Sequence, residues 1–183
     1  QLQILLCELA AYLHNKDMEI NVWDRIIAFE GRMHEFIKAA YDYQDNTFHS
    51  HPGYYIDYFE MRLAQLQVLH NLHYEIKKIR KMPKQALVIA DYIMYMADYV
   101  VEMNIPDQQI EKLEEISEQM KQEELPKTRE EFEGRALLYH ILMDLEEFLV
   151  YKKRFVNGLD EKKLRIYWKQ EMEQKDSANE LQK

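Results

Sequence analysis

The chain has 183 residues, with 24 Lys and Arg against 33 Asp and Glu, for a formal net charge of -9. Four Gly and four Pro are too few for a sandwich or barrel, which needs a turn signal every ~8–12 residues, and a 47% apolar content with 13 Tyr, 7 Phe and 2 Trp excludes wholesale disorder. A lone cysteine, Cys7, excludes an intramolecular disulfide framework and a multi-cysteine zinc site, and net acidity argues against nucleic-acid binding, which needs a basic face.

Leu2, Leu5, Leu6, Leu9 and Leu13 repeat at helical spacing and predict a first amphipathic helix from Leu2 to His14. No capping residue precedes it. A chain that opens mid-helix reads either as a piece of something longer or as one trimmed at a helix end. Asn15-Lys16-Asp17 is a weak break, so the alternative is one helix running on into the next. A second helix is expected over Val22–Tyr43, with Asn21 as N-cap. Val22, Ile26, Phe29, Met33, Phe36, Ala40 and Tyr43 step by four and three, a seam for a long neighbouring helix. Gly31 inside it weakens the helix by ~1 kcal/mol relative to Ala and leaves room for a close neighbour.

Gln44 to Gly53 reads as a polar loop carrying His49, His51 and Pro52. A third long helix is expected over Tyr54–Lys81, with Tyr55, Phe59, Leu66, Leu69, His73 and Ile76 on one stripe, ended by Met82-Pro83. The fourth, Gln85 to Met103, is apolar on nearly every side, which places it at the centre of a bundle. Asp91 and Asp98 share one of its faces and must reach solvent or a cation. Asp107 to Glu124 predicts a short acidic helix with Ile110, Leu113, Ile116 and Met120 inward.

Thr128-Arg129-Glu130-Glu131, after the break Leu125-Pro126-Lys127, forms a capping box. The helix it starts runs to Phe155 with Phe132, Leu138, Leu142, Leu145 and Leu149 inward, and Asn157-Gly158 closes it. Leu159 to Met172 is a further short helix, and residues 176–183 a frayed polar tail. The fold class is therefore all-α: an antiparallel helical bundle of about four long helices with additional short helices. Residues 1–175 form one domain, with 1–14 free to project from it.

Chemistry is sparse. Gly31, Gly53, Gly134 and Gly158 are isolated, so no phosphate-cradling loop is present, and no nucleophile elbow is found. His70 and His73, at i and i+3, are the candidate metal pair, with His34 and His140 mid-helix. No Glu stands three residues before His70, His73 or His140, so the di-iron carboxylate pattern is missing. Tyr92, Tyr95 and Tyr99 are candidates to line a pocket for a flat aromatic acid. The favoured reading is that they fill core and reach its edge with their hydroxyls. Two basic stretches, Lys77-Lys78, Arg80-Lys81 and Lys84, and Lys152-Lys153-Arg154 with Lys162, Lys163 and Arg165, suit either helix C-terminal dipoles or anionic lipid headgroups.

The run Tyr54-Tyr55-Ile56-Asp57-Tyr58-Phe59-Glu60-Met61-Arg62, followed by Leu66 and Leu69, resembles the soluble C-terminal domain of the putative aromatic acid exporter family of Gram-positive bacteria. So does Leu125-Pro126-Lys127-Thr128-Arg129-Glu130-Glu131-Phe132-Glu133, followed by Arg135-Ala136-Leu137. Ile89-Ala90-Asp91 and Leu113-Glu114-Glu115 fall between them in the expected order, and the resemblance extends over Leu2–Phe155.

The resemblance implies an N-terminal multi-helix membrane domain before Gln1, with this domain on the cytoplasmic side of the cell membrane. It implies self-association as a homo-oligomer and raises the case for anionic lipid headgroups as partners. It brings no catalytic or ligand-binding residue, no cofactor and no nucleic acid. Thr128 and Glu131 are read as a helix cap and Pro126 as a turn end. Tyr58 and Phe59 pack in or beside a core, and Glu60–Arg62 and Glu133–Arg135 are polar residues available to pair across helices. The expected function is a non-enzymatic assembly or regulatory domain beside a membrane pore. The alternatives are an aromatic-acid binding module using Tyr92, Tyr95 and Tyr99, and a metal-binding protein using His70 and His73 with carboxylates.

Overall fold

Every regular element in the described residues of the computed structural model, 1–15, 22–46 and 52–168, is an α-helix. In chain order these are α1 (Leu2–His14), α2 (Val22–Asn46), α3 (Pro52–Lys78), α4 (Ala86–Asp98), α5 (Asp107–Lys121), α6 (Arg129–Asn157) and α7 (Glu161–Tyr167). The all-α bundle expected from the sequence is what forms. Its long members number three, α2, α3 and α6, rather than four. Asn21, the loop residues His49 and His51, and the 176–183 tail lie outside the described residues.

α3 is the centre. α2 packs on one side of it and α6 on the other. Both neighbours run antiparallel to it: Phe36 stacks on Phe59 and Trp23 meets His70 along α2, while Phe155 meets Tyr54 and Phe148 meets Gln65 along α6. Tyr54, Ile56, Met61, Leu66, Val68, Leu69, Leu72 and Ile76 are all buried on it. Arg62, Gln65 and His73 are buried with them.

The expectation that α4 takes the centre is therefore corrected. α4 buries Ala86, Ile89, Ala90, Tyr92, Ile93, Met96 and Ala97, but Leu87, Val88 and Met94 face outward. It also stops at Asp98 rather than Met103. Tyr99 N–H donates to the Met96 carbonyl and Val100 N–H to the Ala97 carbonyl, the tightened i to i−3 bonds that close a helix end.

α1 does not project. Leu2, Leu5, Leu6, Leu9, Ala10 and Leu13 are buried, mainly against α4, and join the main core. Burying a leucine contributes roughly 1.5–3 kcal/mol, so detaching five of them would cost roughly 8–15 kcal/mol, as much as a domain's whole usual margin. The seam on α2 is buried only in its first half. Val22, Ile26 and Met33 are inside, whereas Phe36 and Tyr43 are exposed. No neighbour approaches Gly31: a Cβ there would meet nothing within 4 Å. The close approach occurs instead at Gly134 of α6, where a Cβ would lie 2.9 Å from Pro83 Cγ and 3.3 Å from the Lys81 carbonyl oxygen.

α6 begins where the sequence places it. The Thr128 hydroxyl accepts from the Glu131 N–H at 3.2 Å. The Glu131 carboxylate reaches back to the Lys127 N–H at 2.9 Å, one residue before the cap. Pro126 is half-buried in the turn ahead of it. Leu138, Ile141, Leu142, Leu145, Phe148 and Leu149 are inward, but Phe132 is exposed. Gly158 ends the helix at φ -80°, a conformation open to any residue. α7 starts on Asp160, whose carboxylate accepts from the Lys163 N–H. α7 and Trp168 cover a second, aromatic cluster of Tyr54, Met61, Phe155 and Leu159.

Candidate functional site

The three tyrosines of α4 separate by burial. Tyr92 is fully buried, and its hydroxyl donates to the Gln109 carbonyl at 2.7 Å. Burial holds its ionisation well above the usual tyrosine value. Tyr95 is half-buried beside it, with its hydroxyl accepting from Gln109 Nε2 and the Lys112 ammonium 3.8 Å above its ring. Tyr99 caps the helix and is partly exposed, with its ring 4.9 Å from that of Tyr95. Both inner hydroxyls are thus bonded to Gln109. The partly open cleft next to Tyr99 measures about 10 Å³, which admits a water-sized group and no aromatic ring.

His70 and His73 do not converge on a third ligand among the described residues. His70 meets the Trp23 ring at 4.3 Å. His73 is buried, and its pKa is lowered by that burial first, then by Lys77 and His70. A lowered value keeps the imidazole neutral in the core. Glu60 does not pair with Arg62 but accepts from the Tyr41 hydroxyl, while Arg135 meets Glu131 within α6 and the Glu124 carbonyl beyond α5.

Part of each basic stretch is engaged within the domain. Lys78 pairs with Glu75, Lys84 with Glu123 and Lys153 with Asp107. Lys152 is buried rather than presented to a surface. That leaves Lys77 and Lys81 exposed on the first stretch.

The polar constellation that stands out lies elsewhere, around Arg62 and Lys152. α3 brings Arg62 inward one turn before Leu66, and α6 brings Lys152 inward one turn after Phe148. Both side chains are more than nine-tenths buried, at 6% and 4% exposure. Arg62 Nε donates to the Tyr58 hydroxyl at 3.1 Å, and Nη1 donates to Gln65 Oε1 at 2.8 Å. Lys152 donates to the Glu102 carbonyl and is ringed by Tyr58, Phe155 and Trp168 at 5.2–5.9 Å from the ring centres. The Glu102 carboxylate is itself held by the Tyr54 hydroxyl at 2.7 Å, which also accepts from Trp168 Nε1 at 3.1 Å.

Neither cation forms an ion pair with a described carboxylate. Burial, and then the Arg62 charge, pull the Lys152 ammonium down to about 7, with Glu102 opposing. Two cations in a low-dielectric site repel each other and attract an anion, and Glu102 offsets that charge only in part. Both line the small, partly open cleft beside Tyr99.

Sequence reasoning placed Lys152 in a basic run and Arg62 in a polar pair, and so missed their convergence. A signal was present. Each falls on the inward phase of its helix, Arg62 with Leu66, Leu69 and His73, and Lys152 with Leu145, Phe148, Leu149 and Phe155. A cation at a core phase is the pattern to look for.

The comparisons agree with this architecture. A crystal structure of a putative membrane protein from Clostridium difficile 630 superposes with a TM-score of 0.74 and 25% identity, covering 84% of this chain and 91% of that one. The uncharacterized protein YqjA of Bacillus subtilis (strain 168) is 32% identical over 98 residues, 54% of this chain and 30% of the Bacillus protein. The matched part is thus under a third of that relative's length. Among the described residues no helix is long and apolar enough to cross a membrane. Residues 1–153 match the family model described as the putative aromatic acid exporter C-terminal domain, and the chain belongs to that family.

Proposed function

We propose that this chain is the non-catalytic, cytoplasmic-side domain of a membrane exporter, and that it serves assembly or regulation beside the pore. One observation carries the assembly role: the outward face of α4. Leu87, Val88 and Met94 are 47%, 46% and 44% exposed there, with Asp91 between them and Asp98 one turn beyond Met94. A helix that is apolar on both faces, with α1 covering only one, suits contact with another protein surface. The family match supports the exporter setting, and most of the Bacillus relative lies outside the matched region, which leaves length there for a membrane part. The partners are that membrane part and further copies of the chain. Anionic headgroups beside Lys77 and Lys81 are a lesser one.

The test compares the full-length protein in detergent with a Leu87→Lys, Met94→Glu double variant by light scattering after size exclusion. The expected result is a defined oligomer whose mass falls in the variant while the helical circular dichroism is unchanged. Equal masses overturn the assembly role.

A further inference from the structure

We infer that Arg62 and Lys152 form a binding site for a small organic carboxylate, covered by the segment between α4 and α5, residues 99–106. The site goes beyond the assembly role and requires neither a membrane nor a second copy of the chain.

The donor inventory comes first. A guanidinium has five N–H groups, and Tyr58 and Gln65 take two of them. An ammonium has three, and the Glu102 carbonyl takes one. The others have no acceptor among the described residues. The neighbouring amides Gln65, Gln109 and Asn104 each have one N–H committed, to the Phe148 carbonyl, Tyr95 and Gln109, and keep one neutral N–H apiece. The unspent charged donors of the site belong to its two cations.

Charge and size select the ligand. The charged groups facing the site are Arg62 and Lys152 on one sign and Glu102 on the other, with Tyr54 and Tyr58 neutral beside them. The excess is at most one positive charge, which matches a monoanion rather than a phosphate or sulfate dianion. A planar carboxylate can accept two parallel N–H groups from a guanidinium. The partly open cleft between the two cations, about 10 Å³, admits only a group the size of a carboxylate oxygen. Met96, Phe148 and Leu149 line the same space and give an organic body an apolar wall.

The cover is suited to move. Residues 99–106 are non-helical, and Tyr99, Val101 and Ile105 are 39%, 46% and 53% exposed. Two side chains hold its middle through one residue, Lys152 bonding the Glu102 carbonyl and Tyr54 its carboxylate, while Asn104 bonds Gln109 and Val100 and Met103 pack against the two apolar clusters. A ligand carboxylate engages the two unspent Lys152 donors and competes with the Glu102 carbonyl for the ammonium, which loosens the first of these ties.

The test uses the full chain in chloride-free buffer at constant ionic strength, with benzoate, acetate and chloride as probes. Benzoate and acetate are expected to raise Tm by roughly 5 °C at a hundredfold excess over Kd. Chloride is expected to raise it far less. In Lys152→Met, which removes the buried charge and keeps the volume, the shift disappears. In Glu102→Gln, which removes the competing anion, affinity increases severalfold. Because the ammonium binds the ligand only when protonated, wild-type affinity falls roughly tenfold between pH 7 and 8.5. Calorimetry in two buffers of different ionisation enthalpy then shows proton uptake, a readout that needs no variant. A carboxylate shift that survives in Lys152→Met, an equal shift with chloride, or no shift with either carboxylate overturns the site.

Discussion

Gln65 Nε2 donates to the Phe148 carbonyl at 2.8 Å and ties the middle of α3 to α6 across 83 positions of sequence. The same side chain accepts from Arg62 with its other end. One amide therefore joins two helices and steadies a buried cation. Gln65→Leu keeps the volume but leaves an Arg62 N–H without its acceptor, a cost of about 1–3 kcal/mol. Gln65→Ala adds a cavity and costs more. Urea unfolding checks both, and an unchanged midpoint in Gln65→Leu would show that Arg62 is satisfied without it.

Lys152 gives stability a pH dependence of known sign. Its folded pKa, about 7, lies below the unfolded value of 10.5. The unfolded chain therefore binds more protons between these values, so stability rises with pH from 7 upward and is lost as pH falls through 7. Tyr54 and Tyr92 are shifted upward and act in the opposite direction only above pH 10. Wild-type Tm is expected to rise, relative to Lys152→Met, between pH 7 and about 9.5. At pH 6.5 the Met variant is the more stable protein, because a buried charge has been exchanged for an apolar chain of similar size. Parallel Tm–pH curves for the two proteins would place the ammonium in solvent.

The sequence made some of this legible and hid the rest for definite reasons. The leucine spacing of α1 and the Thr128–Glu131 cap are local, and both were readable to within a residue. The identity of the central helix was not. α4 looks central because Leu87, Val88 and Met94 are apolar, yet they face outward. α3 looks mixed because it carries Arg62, Gln65 and His73, yet it is the helix covered on two sides. Gln65 is permitted inside by a partner far along the chain, the Phe148 carbonyl, and Gln65 in turn accepts from Arg62. Propensity and periodicity contain no such term, so the cation pair appears only when α3 and α6 are laid together.

Asp144 contributes with the opposite sign. Burial, and then the charges of Glu75 and Glu147, raise its carboxyl from 3.8 to about 6, and its Oδ2 is buried with no hydrogen-bond partner. A group whose folded pKa is raised contributes stability that is fully present below pH 3.8 and is lost as pH rises through 6. At pH 7.5 the ionised group is a burden. Asp144→Asn removes the charge and supplies donors toward its acidic neighbours. Its Tm at pH 7.5 is expected to exceed wild type by about 2–4 °C, with the difference vanishing near pH 4. Scanning fluorimetry at both pH values decides the matter, and a lower Tm at pH 7.5 counts against the argument.

Gly134 and Gly31 sit in long helices and invite the same substitution with opposite results. Alanine is the better helix former by roughly 1 kcal/mol, so Gly31→Ala, in open space, is expected to stabilise by about that amount. At Gly134 the new methyl would stand 2.9 Å from Pro83 Cγ and 3.3 Å from the Lys81 carbonyl oxygen. A proline ring cannot swing aside as a flexible chain end would, and the carbonyl belongs to the backbone of the α3–α4 connection. Accommodation must come from moving that connection away from α6, at a cost of about 1–3 kcal/mol that outweighs the gain in propensity. Gly134→Ala is therefore expected to lower Tm by several degrees while Gly31→Ala raises it. The same displacement would carry Gln85 away from Glu123, which accepts its hydrogen bond across the start of α4. Hydrogen exchange at the Ala86 and Ile89 amides is thus expected to quicken in Gly134→Ala and to stay unchanged in Gly31→Ala. Equal stability of the two variants would mean that Pro83 yields freely, and that the approach of the Lys81 carbonyl does not restrain it.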